Sequence, residues 1–268
     1  MKICTMYFSP TGTTEKIVKS IAYSIKNEFK NYDVNNIDFT NINNRQAEQS
    51  FSRDDLVIIG VPVIAGRVPN VLLKYLKTVR GNGASAVAIV SYGNRNYDDA
   101  LIELSDILED NGFRVIAGGA FIGEHSFSKI LAKDRPDERD MEVSRDFADK
   151  ICNKLLEGNF STVNVSGIRP YRDYYKPKDT NGNPVDIRKV IPKTSQDCTD
   201  CKICAEVCPM GSIDYEDVTK ITGICIKCCA CIKKCPVEAK YFDDESYLRH
   251  KHELEIEFYT RRDPEIFI

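Results

Sequence analysis

The chain has 268 residues, of which 42% are hydrophobic, and a formal net charge of -3. Two domains are the natural expectation for this length, and the charge gives no basic footprint for nucleic acid. No apolar run approaches the roughly 20 residues that span a bilayer, and Met1-Lys2 leads straight into an apolar strand pattern rather than a signal peptide. These features predict a cytoplasmic chain.

Ile3 to Phe8 is a short apolar run that ends in Ser9-Pro10-Thr11-Gly12-Thr13-Thr14. Ile17, Val18, Ile21, Ala22 and Ile25 then fall on one helical stripe. The turn therefore sits between a strand and a helix N-terminus. Free backbone N–H groups, the helix dipole and several hydroxyls make such a turn a phosphate site. It lacks the Gly-Lys-Ser/Thr ending of a nucleotide-hydrolysing loop. It also lacks the Gly-x-Gly-x-x-Gly of a dinucleotide fold.

Further strands are predicted over Asp33–Phe39, Asp54–Gly60, Ala84–Ser91 and Phe113–Phe121, with helices over Val68–Val79 and Tyr97–Asn111. Pro136 opens a last helix carrying Met141, Phe147, Ile151 and Leu155. Strands alternating with helices imply a parallel sheet covered on both faces. Five strands with a phosphate turn after the first suggest the doubly wound order 2-1-3-4-5, with a ligand at the switch point.

Asn159 to Asp197 breaks the periodicity with four prolines and an Asn181-Gly182-Asn183 turn. Tyr171, Tyr174 and Tyr175 argue that this connector packs against its neighbours rather than floating. The stretch Cys198-x-x-Cys201-x-x-Cys204-x-x-x-Cys208-Pro209 follows. It recurs as Cys225-x-x-Cys228-x-x-Cys231-x-x-x-Cys235-Pro236, offset by 27 residues. This is the spacing of bacterial two-cluster ferredoxins, in which the fourth cysteine of each run serves the other cluster. Three closely spaced thiolates wrap one 4Fe-4S cube, and its fourth corner must be reached from elsewhere. Cys198, Cys201, Cys204 and Cys235 are therefore assigned to one cluster, and Cys225, Cys228, Cys231 and Cys208 to the other. Zinc usually takes two separated Cys-x-x-Cys pairs, and a disulfide framework suits short secreted chains. Cys229 is expected to face outward as a bystander, and Cys4 and Cys152 to sit in the core.

The domain division expected is 1-158, a connector over 159-194, the cysteine-rich domain over 195-241 and a tail over 242-268. The tail is charged and suits a helix, although Leu254, Ile256 and Phe258 alternate as in a strand. Its apolar end, Ile266-Phe267-Ile268, should dock somewhere.

Ser9-x-Thr11-Gly12-x-Thr14 resembles the flavodoxin phosphate loop. The whole chain resembles the flavodoxin–ferredoxin fusions called ferrodoxins, found mainly in anaerobes. Tyr92-Gly93-Asn94-Arg95, Glu124-His125-Ser126 and the closing Asp263-Pro264-Glu265-Ile266-Phe267-Ile268 carry that likeness. The resemblance implies an FMN whose phosphate meets Ser9, Thr11, Gly12, Thr13 and Thr14. It places the flavin ring between two loops, one with Pro62, Val63, Ala65, Gly66 and Arg67, the other with Ser91, Tyr92, Gly93, Asn94, Arg95, Tyr97 and Asp98. Tyr92 or Tyr97 would stack on the ring or pack at a strand end. Gly66 would allow a backbone flip toward flavin N5. Arg67 and Arg95 would stabilise reduced flavin or form surface ion pairs. His125 would reach the flavin edge or serve as a bonded loop histidine.

The function expected is electron transfer between FMN and two 4Fe-4S clusters, joining two-electron to one-electron steps in anaerobic metabolism. The partner would be a redox protein or a small acceptor, and a homodimer is left open. The alternative is an FMN-dependent reductase of a small organic substrate, fed by its own clusters. A redox sensor with a cluster-controlled interface ranks third.

Overall fold

Apolar residues of period two and period 3.6 alternate along the first 158 residues, and the backbone follows them. The structure is a computed structural model and describes residues 2–268. Strands β1 (Ile3–Tyr7), β2 (Val34–Asp38), β3 (Leu56–Pro62), β4 (Ser85–Tyr92) and β5 (Arg114–Ile122) alternate with helices α1 (Thr13–Glu28), α2 (Asn70–Leu76), α3 (Ala100–Asp110) and α4 (Glu138–Leu156). The five strands pair in parallel in the order β2-β1-β3-β4-β5.

The pleat sends alternate side chains to opposite faces. Leu56 and Ile58 of β3 join Ile17, Ile21, Phe147 and Ile151 from α1 and α4 in one core. Val57, Ile59 and Val61 join Leu72, Leu76, Leu101 and Leu104 from α2 and α3 in the other. Burial on both faces explains why the central strands read as continuous apolar runs.

The cysteine runs lie between two short strands, β6 (Lys193–Thr194) and β7 (Lys240–Tyr241), which pair antiparallel. Each run contains one helical turn, α5 (Ile203–Glu206) or α6 (Ala230–Lys233). The tail forms helix α7 (Glu245–Glu257) and strand β8 (Glu265–Phe267). Helix prevails over strand there because Tyr247, His250 and Leu254 bury one helical face. β8 pairs antiparallel with β5, setting Gly118 opposite Phe267. The sheet is therefore six-stranded, one more than its alternating pattern indicated. The apolar terminus covers an edge that would otherwise leave its N–H and C=O groups unpaired.

The connector is pinned along the sheet unit. Val163 N–H donates to the Val115 carbonyl at 2.9 Å. The fully buried Asp99 accepts from Ile168 N–H, Arg172 N–H and the Arg172 guanidinium at 2.6–3.1 Å. Tyr174 donates its hydroxyl to the Val68 carbonyl at 2.8 Å. No helix among the described residues is long and apolar enough to cross a membrane.

Candidate cofactor sites

The turn after β1 is built as a cradle of donors. Gly12 adopts φ +90°, a left-handed conformation that suits glycine. Ser9 Oγ accepts the Glu15 N–H at 3.0 Å, and Ser9 N–H donates to Thr40 Oγ1 at 2.8 Å. The N–H groups of Thr11, Thr13 and Thr14 meet no acceptor among the described residues. They stand at the positive end of α1, which suits an anion. Thr14 is 2% exposed, and its hydroxyl shares a 2.7 Å hydrogen bond with Ser91 Oγ at the end of β4. The hydroxyls of Thr11 and Thr13 have no such partner among the described residues.

Two further loops leave the same sheet edge. Ile64 and Arg67 exchange backbone hydrogen bonds at 3.1 Å around Ala65 (φ 53°) and Gly66 (φ 79°). A Cβ on Gly66 would lie 2.3 Å from Asp98 Oδ2, so the two loops touch there. The Gly66 carbonyl accepts Asp99 N–H at 3.1 Å, and the Ala65 carbonyl accepts Tyr175 N–H at 2.9 Å. The two successive carbonyls of the turn are thereby both held.

Several side chains of these loops are engaged within the chain. Arg67 makes a bidentate pair with the buried Glu103 at 2.8 and 2.7 Å, beneath the rings of Tyr171 and Tyr174. Arg95 pairs with Asp98 and lies 4.7 Å from the Tyr175 ring centre. Tyr92 and Tyr97 are both 4% exposed, with ring centres 5.5 Å apart, and Tyr97 donates to Glu265 of β8 at 2.7 Å. Asn94 donates to the carbonyls of Phe258 and Thr260 at 2.6 and 2.9 Å. Both tyrosines thus lie in the core, and both arginines are in ion pairs. Glu103 also accepts Val68 N–H at 2.9 Å. Glu103→Ala would strand a guanidinium and an amide, so we expect a loss of about 3–5 kcal/mol in chemical denaturation.

His125 leaves β5 beside this edge. Its Nδ1 accepts Phe127 N–H at 3.1 Å, and its ring meets that of Phe127 edge-on at 5.3 Å. Burial first, then the positive charges of His250, Lys233 and Arg95, pull its pKa down to about 3. Its ordinary value is near 6.5. The unfolded chain therefore binds the extra proton first, and this contribution to stability falls as pH drops from about 6.5 toward 3. We expect the imidazole NMR resonances of His125 to remain those of the neutral form at pH 5.

The eight paired cysteines divide four and four. Cys208, Cys225, Cys228 and Cys231 line one hollow, together with the unpaired Cys229. Cys198, Cys201, Cys204 and Cys235 line a second. Backbone N–H groups point at three of the sulfurs: Asp200 at Cys198 (3.4 Å), Ser212 at Cys208 (3.3 Å) and Ala239 at Cys235 (3.3 Å). Such bonds tune cluster potentials. Among the described residues no three potential ligands converge as a single metal ion requires. A cube instead takes one sulfur per iron, so its ligands stand around a hollow. Burial pushes the Cys228 thiol up to about 12, so loading iron must displace protons. The donor set thus fits two clusters. Cys229 departs from expectation. Its left-handed backbone turns the side chain inward, where it is 3% exposed between Phe242 and Tyr247.

The first hollow is tied to the phosphate turn through a chain of contacts. Arg45, in the short helical turn Ile42–Arg45, donates to the Thr40 carbonyl at 3.2 Å and to the carbonyl of Pro209, next to Cys208. Thr40 in turn holds Ser9. Lys233 of α6 pairs with Glu124 at 2.8 Å, and Ile226 packs on the α2–α3 core. Arg45 belongs to no motif, and sequence reasoning passed over it.

Residues 4–111 match the family model described as the flavodoxin domain. A flavodoxin from the domain Archaea is 19% identical with TM-score 0.38, covering 58% of this chain and 99% of that one. Oxidised Flavodoxin 2 from Bacillus cereus is 18% identical with TM-score 0.42, covering 57% and 99%. Rubredoxin oxygen:oxidoreductase from the anaerobe Desulfovibrio gigas is 20% identical with TM-score 0.40, covering 58% of this chain and 36% of that one. The family match and the strand order 2-1-3-4-5 make the N-terminal part of this chain a flavodoxin-like domain.

Proposed function

We propose that this chain is an electron-transfer flavo-iron-sulfur protein. Its N-terminal domain holds FMN, and its eight paired cysteines hold two 4Fe-4S clusters. When bound, FMN exchanges two electrons and each cluster one. The observation that carries this reading is the four-and-four grouping of cysteines, with one group joined through Arg45 and Thr40 to the phosphate turn.

The chain's own residues then have defined tasks. The Thr11, Thr13 and Thr14 amides receive the phosphate, while Ser91 fixes Thr14. The Ala65-Gly66 turn and the Asn94 loop flank the ring, held by the connector and the tail respectively. The connector and β8 bind the cysteine-rich part back to the sheet, which holds the two parts in one fixed relation. Covalent linkage removes the diffusional step between centres. A redox protein or a small acceptor would be the partner, and an anaerobic cytoplasm suits the reduced thiols.

A carrier fits better than a substrate reductase. Arg67, Arg95 and Asn94, the polar groups nearest the ring's place, are all committed to partners within the chain. Iron, sulfide and flavin analysis of anaerobically purified protein tests the proposal. It predicts iron for two cubes and one FMN per chain; iron-free protein that binds FMN would overturn the cluster half.

A further inference from the structure

Lys240 is only 2% exposed. It lies in β7 opposite Thr194 of β6. Its Nζ donates to Thr194 Oγ1 at 2.7 Å and to the Val218 carbonyl. Both acceptors are neutral, and no carboxylate lies within ion-pair distance among the described residues. A buried cation without a counter-charge is costly, and a neighbouring anion offsets that cost. Lys154, another buried lysine, meets only the Ile116 carbonyl and lines neither hollow. Lys240 lines the hollow of Cys198, Cys201, Cys204 and Cys235.

The anion is supplied by that hollow's own chemistry. Four thiolates around a 4Fe-4S core leave the assembly negative, and each reduction adds one more negative charge. A fixed cation beside it, in a medium of low dielectric, favours the reduced form. The antiparallel β6–β7 pair and the Thr194 hydroxyl hold the ammonium in place. Resting on the function proposed above, we infer that Lys240 is the counter-cation of the cluster held by Cys198, Cys201, Cys204 and Cys235, and that its charge raises that cluster's reduction potential. Lys240 is thus a positioning and tuning residue rather than a ligand.

The test compares Lys240→Met and Lys240→Arg with the parent protein, all purified anaerobically as the full chain. Iron and sulfide are assayed, and both cluster potentials are followed by EPR-monitored redox titration. In Lys240→Met one cluster should titrate at a more negative potential and the other should move less; Lys240→Arg should stay near the parent. If Lys240→Met loses only one cluster while Lys240→Arg keeps both, the counter-charge is again shown. Two unmoved potentials in Lys240→Met with full iron would overturn the inference, as would equal loss of iron in both variants. A parent protein without iron would overturn the cluster reading itself, so the two failures are distinct.

Discussion

Replacing Cys201 with alanine should leave the protein with about half its iron and all its FMN. Cys201 is exposed, whereas Cys204 in the same run is buried. Water therefore enters the open corner once the thiolate is gone, and the cluster in that hollow is lost. The other hollow is lined by a different set of cysteines and should keep its cluster. The phosphate turn lies in another part of the chain, tied to the opposite hollow, so flavin content should not change. Iron, sulfide and flavin assays on Cys201→Ala check this. Loss of FMN with full iron would sink the assignment.

The Thr11→Ala, Thr13→Ala double variant should bind FMN at least a hundredfold more weakly, with iron unchanged. Hydrogen bonds to charged groups contribute about 1.5–3 kcal/mol each, and tenfold in affinity corresponds to about 1.4 kcal/mol. Thr11 and Thr13 are suited to this test because their hydroxyls are not committed elsewhere. Thr14 is less suited, since removing its hydroxyl would also leave that of Ser91 buried and unpaired. Flavin fluorescence on titrating the apoprotein with FMN measures the effect. An unchanged affinity would place the phosphate elsewhere.

The sheet and the cysteine runs were legible because each rests on a local pattern. Central strands such as Leu56–Pro62 read as apolar runs, and α1 as a stripe behind a glycine-containing turn. The sixth strand was not legible. Ile266-Phe267 is apolar, but only the fold shows that the free edge of β5 is waiting for it. Side-chain roles in the flanking loops were hidden for the same reason. Arg67 meets Glu103 across 36 residues, and Asn94 meets the tail across 164. Cys229 was expected outside because its neighbour Cys228 points inward. A positive φ at residue 229 removes that simple alternation. Arg45 and Lys240 carried no motif, and their roles show only in tertiary contacts with Pro209, Thr194 and Val218.

Whether flavin and clusters act as one relay is decided by an anaerobic reductive titration followed by absorbance and EPR. Flavin and both clusters in the full chain should accept electrons in one equilibrating sequence. Clusters that fill while bound FMN stays oxidised, without exchange between them, would contradict it.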